Sequence, residues 1–205
     1  MTPRQAAELI EAFLDGSGGR WDWDDFTSTR AVDPRVEGAR RRCLEISERY
    51  PPTLANEWCS TAGRPMLRTV ATELRVEDQR MVSEANAIVA DALEAEARRQ
   101  DRGDVHRLRE AYDHTYARVV QVNSDFGEAI ELAFSFWDEW IDAATHDWHF
   151  HDPIKESDWS GFAQEIAVAV RVGRVPDNQF LIEQFRVKPR RTLRQKLWSL
   201  FGRAV

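Results

Sequence analysis

Residues 126–149 read FGEAIELAFSFWDEWIDAATHDWH, and the reading of this stretch decides the fold. Stepped at about 100° per residue, Phe126, Ile130, Ala133, Trp137, Trp140, Ala144 and Trp148 fall close to one line. Phe134 and Ile141 flank one side of that line, Leu132 and Phe136 the other, so the apolar arc takes up half the circumference or more. A helix of this kind is packed on several sides, and each buried aromatic contributes on the order of 2–3 kcal/mol of transfer free energy. The opposite face carries Glu128, Glu131, Asp138, Glu139, Asp142, His146 and, if the helix persists, His149.

Helical periodicity continues on both sides. Upstream, 104–122 places Leu108, Tyr112, Tyr116, Val119 and Val120 inward, and Arg102-Gly103-Asp104 is the expected break before it. From Arg64 a stripe of Leu67, Val70, Leu74, Met81, Ala85, Ile88, Val89, Ala92 and Leu93 runs through alanine-rich sequence, with an interruption expected at Val76-Glu77-Asp78. Ser124 or Asp125 is placed to cap the 126–149 helix, and Asp152-Pro153 ends it, because proline disfavours helical geometry in the residue before it. Ser157 or Asp158 then caps a helix lined by Trp159, Phe162, Ala163, Ile166, Ala167 and Val170, which Gly173 stops. A short segment after Asp177 and a final helix, KPRRTLRQKLWSLFGRAV, follow.

The N-terminal portion has more loop. Thr2 and Pro3 open a helix with Ala6, Leu9, Ile10, Phe13 and Leu14 inward, and the Gly16–Gly19 stretch stops it. WDWDDF, 21–26, reads as an extended loop, Trp21 and Trp23 pointing one way and Asp22, Asp24 and Phe26 the other, with its aromatics plugging the core. Asp33-Pro34 starts a helix bearing Val36, Ala39, Cys43, Leu44 and Ile46, and Tyr50-Pro51-Pro52 ends it. Strand-like alternation is scarce. The expectation is an all-α bundle of about eight helices: a loop-rich subregion 1–62, a bundle 63–186 and a basic amphipathic helix 187–205, sharing one core.

Composition narrows the function classes. The chain has 205 residues, 42% hydrophobic and 31% charged, enough apolar material for a core. Its net charge is −7, yet 186–205 carries seven cations and no acid, which leaves −14 on 1–185. An acidic body suits a basic partner and disfavours nucleic acid, whose phosphates require Lys and Arg. Two cysteines, Cys43 and Cys59, without CxxC or a Cys/His cluster, give no structural zinc site, and neither a signal peptide nor a spanning apolar run is read, so a cytoplasmic location is expected. No Walker A loop, dinucleotide fingerprint or nucleophile elbow occurs.

Three candidate sites remain. Trp21, Asp22, Trp23, Asp24 and Asp25, with Glu131, Asp138 and Asp142, form acidic and aromatic surface for a basic protein. A calcium loop fails there: counted from Asp15, Arg20 stands where glycine is needed and Phe26 where glutamate is needed. No cofactor is called for, but Asp142, His146 and His149 share one ridge with Glu139 beside them, and such a set could hold a divalent metal that activates water. This is neither HExxH nor the Glu-x-x-His of di-iron bundles. His106 and His114, about 12 Å apart on a helix, are too distant to share a metal by themselves. The tail, with Arg190, Arg191, Arg194, Lys196 and Trp198, could dock on the acidic body, lie on an anionic membrane or fill a partner's groove.

The run FLDGSGGRWDWDDFTS, then DPRVEGARRRC and the Pro-Pro and Trp-Cys segment, resembles a small bacterial family marked by GGxWDWDDF. The resemblance covers roughly residues 8–75. It implies an immunity-type role beside a toxin, and it brings no catalytic residues.

Overall fold

The computed structural model describes residues 1–19, 21–54, 57–99, 105–123, 127–145 and 156–176. Among the described residues there are seven helices and no strand: α1 (Pro3–Asp15), α2 (Asp22–Ser28), α3 (Pro34–Arg49), α4 (Arg64–Ala97), α5 (Val105–Val122), α6 (Glu128–Thr145) and α7 (Glu156–Arg171). The all-α expectation holds. The count differs because α2 was read as loop, while the two helices expected after residue 176 lie outside the described residues, as do the breaks expected at 102–104 and 152–153 and the cap at 124–125.

The chain divides into two compact units, Met1–Glu84 and Ala85–Val205. The division falls inside α4, not in the loop before residue 63. The expected single shared core is instead two clusters of buried side chains, one in each unit. The reason is visible in α4. Leu67, Val70, Ala71 and Leu74 are buried in the first cluster, Ala85, Val89, Ala90, Leu93 and Ala97 in the second, and no residue from Arg75 to Arg80 is buried. The expected interruption at Val76-Glu77-Asp78 is therefore one of packing. The helix itself continues, because beyond Pro65 it contains neither glycine nor proline, and Arg80 bridges Glu77 and Glu84 at 2.7 and 3.1 Å.

In the first unit, Thr2 and Gln5 form a capping box on α1, and Gly16 closes it in the left-handed conformation at φ 80°. Asp33 caps α3 through the Arg35 amide at 2.8 Å. Helices α1, α2 and α3 pack against one another. α4 joins them through its buried stripe and through Arg75, which pairs with Glu11 at 2.6 Å and Glu8 at 3.4 Å. Arg42 of α3 also pairs with Glu73 of α4.

In the second unit α6 packs against both α5 and α7. Phe134, Phe136 and Trp137 are fully buried, and Ile130, Leu132, Ala133, Trp140 and Ile141 nearly so, which is the broad apolar arc expected from the sequence. Tyr112 of α5 meets Phe134 and Trp137 edge to face at 5.3 and 6.0 Å. Trp159 of α7 stacks parallel to Trp140 at 6.4 Å. Gly173 ends α7 at φ 71°. Arg171 pairs with Glu94 at 2.8 Å and Asp91 at 2.9 Å on α4. His106 and His114 are exposed on α5.

Candidate functional site

The stretch read as an extended loop is a helix of seven residues, α2. The correction changes which side chains share a face. In a strand Trp21 and Trp23 would lie together; in the helix Trp23, Phe26 and Thr27, at spacings of three and four, point inward and are buried, while Trp21 is 60% exposed. The expected plugging of the core by aromatics holds for Trp23 and Phe26. Asp24 and Asp25 do not cap the following helix, since α3 has Asp33 for that. Asp22, Asp24 and Asp25 occupy the first turn of α2, where carboxylates suit the positive end of the helix dipole. Asp22 also accepts a hydrogen bond from the Gly19 amide at 2.8 Å, and Gly19 is held to glycine there, because a Cβ would lie 2.7 Å from the Asp22 Oδ2.

Beneath α2 lies an aromatic group. Phe13 of α1 stacks on Trp23 with centroids 4.0 Å apart and planes 16° from parallel. Trp58 meets Trp23 edge to face at 4.8 Å and Phe13 at 6.2 Å. The Trp23 indole N–H is buried without a hydrogen-bond partner. A cavity of about 460 Å³ opens beside these rings. Leu9, Ala12, Phe13 and Trp58 supply apolar wall, Gly16, Gly18 and Gly19 a wall without side chains, and Asp22, Asp24, Glu57 and Arg64 the charges. Arg64 is committed elsewhere, donating to the Leu14 carbonyl at the end of α1. Glu57 accepts from the Thr53 hydroxyl at 3.0 Å. Among the described residues, no ion pair or hydrogen bond to the Asp24 carboxylate is found. Phe13, Trp58 and the cavity as a whole escaped sequence reading: their partners are brought together from α1, α2 and the 51–63 loop, and only the glycine run next to WDWDDF hinted at a low wall.

The other expected sites stand differently. Glu131, Asp138 and Glu139 are half-buried on α6 and Asp142 is exposed. Asp138 faces Arg109 of α5 at 3.7 Å, so part of this acidic face is engaged within the fold. His146 and His149 of the metal reading lie outside the described residues, as do Arg190, Arg191, Arg194, Lys196 and Trp198 of the tail. Among the described residues no group of three or more His, Cys, Asp or Glu gathers in a metal-holding arrangement, and no helix is long and apolar enough to cross a membrane. Cys43 and Cys59 are buried free thiols; burial pushes the Cys43 thiol up to about 12 and raises that of Cys59, so the thiolate each would need as a nucleophile is disfavoured.

No protein-family model, curated protein or solved structure matches the chain.

Proposed function

We propose that the protein is a binding protein of immunity or regulatory type, and that the outer face of α2, with Trp21, Asp22, Asp24 and Asp25, docks a protein with a basic surface. One observation carries the reading: a large aromatic side chain, 60% exposed, stands beside three exposed carboxylates on a helix whose other face is locked into the core by Trp23 and Phe26. Exposed tryptophan is common at the centre of protein interfaces, and a rigid support lowers the ordering cost of binding. The −14 charge of residues 1–185 favours approach of a cationic surface. The acidic face of α6 is the weaker part of this surface, because Asp138 is already paired.

The test is capture of a basic protein from extracts by the immobilised full-length chain. Binding should fall by about tenfold or more in the double variant Asp24→Lys/Asp25→Lys, and should weaken steeply between about 50 and about 500 mM salt. Capture that ignores both changes would overturn the reading.

A further inference from the structure

We infer that the cavity beside α2 receives a single cationic side chain of the protein partner, an arginine; the inference rests on the docking reading above and assigns its anchor. The cavity volume of about 460 Å³ lies within the range of pockets that enclose small groups, and it exceeds what one side chain with its adjoining backbone needs. Its charges are three carboxylates, on Asp22, Asp24 and Glu57, against the one guanidinium of Arg64. Arg64 cannot turn to neutralise them without giving up the Leu14 carbonyl. The excess is therefore negative, and an anionic or a purely apolar occupant would leave it uncompensated.

The walls narrow the choice of cation. Phe13 and Trp58 are half-buried rings lining the space, with Leu9 and Ala12 next to them. A guanidinium is planar, weakly hydrated, stacks on aromatic rings and engages carboxylates with two parallel donors. An ammonium is more strongly hydrated and offers no flat face, so a lined aromatic wall favours arginine. The glycine run at 16–19 leaves one side of the cavity free of side chains, where the backbone of an incoming segment can approach.

The experiment is a titration of uniformly nitrogen-15-labelled full-length protein, read at the tryptophan indole N–H signals. The probe is a blocked pentapeptide with one arginine among glycine and serine, and its twin carries citrulline, which has the same shape without the charge. The arginine peptide should move the Trp23 and Trp58 signals saturably and leave Trp137 in place, while the citrulline peptide should not. Asp24→Asn should weaken the response by about fivefold or more, whereas Asp25→Asn, outside the cavity lining, should not change it. Equal response to citrulline, no saturable shift, or indifference to Asp24→Asn would each overturn the inference. If that happens while capture of the basic protein still depends on salt and on Asp25→Lys, the docking surface stands and only the anchor is wrong. If capture too is indifferent, both fall.

Discussion

At the scale of single residues, Glu37 is the charge most tightly built into the first unit. Its side chain is 10% exposed and accepts from Arg40 at 2.8 and 2.9 Å, from Arg41 at 2.8 Å and from the Ala31 amide at 3.1 Å. Arg40 in turn donates to the Thr27 carbonyl at 2.7 Å, at the end of α2, where helix carbonyls lack partners of their own. The Arg40 and Arg41 guanidinium groups hold the Glu37 carboxyl well below the usual carboxylate range. Its folded value is thus depressed, so the stability it contributes is present above the unfolded value of about 4.3 and is lost as pH falls below it. Thermal melts of Glu37→Gln against the native chain should show the variant lower at neutral pH and the gap closing between about pH 5 and about pH 3. Asp33, Glu73 and Glu77 are lowered by their own arginines, but they are common to both proteins and cancel in the difference. A gap that stays constant with pH would mean that Glu37 acts by shape alone.

At the scale of elements, α2 and α6 show what a sequence can and cannot display. The 18 residues of α6 contain five turns' worth of pattern, so the angular arrangement of Ile130, Ala133, Trp137 and Trp140 is overdetermined and was legible in advance. The seven residues of α2 contain two turns. Over so few residues, Trp-Asp-Trp-Asp fits period two as well as Trp23, Phe26 and Thr27 fit period 3.6, and isolated helices this short are marginal in water. What selects the helix is tertiary: the Phe13–Trp23 stack, contact with α3 and the Arg40 bond to Thr27. The candidate site was legible as composition, acids and aromatics together, but its geometry depended on partners from α1 and from Trp58. Trp23→Ala should therefore cost about 3–5 kcal/mol by chemical denaturation, whereas Trp21→Ala, on the outer face, should cost less than about 1 kcal/mol. Equal costs would mean that α2 does not distinguish its two faces.

At the scale of the whole molecule, the telling feature is that one unbroken helix serves two separate cores. α4 has 34 residues and runs about 50 Å, and its stretch from Arg75 to Arg80 contributes no buried side chain to either cluster. Hydrophobic burial is what makes a segment of helix cooperative with its surroundings, because backbone hydrogen bonds alone hold such a helix only marginally in water. The two halves of α4 should then take their stability from different cores. Trp137 is fully buried in the second cluster, and Trp137→Ala should remove about 3–5 kcal/mol there, which lowers amide protection by about two to four powers of ten. Hydrogen exchange should place that loss in α5, α6, α7 and residues 85–97 of α4, while residues 64–74 of the same helix keep the protection of the native protein. Trp23→Ala should give the converse pattern, with 64–74 weakened and 85–97 spared. If either substitution lowers protection evenly along α4, the helix transmits stability across its unburied stretch, and the two units unfold as one.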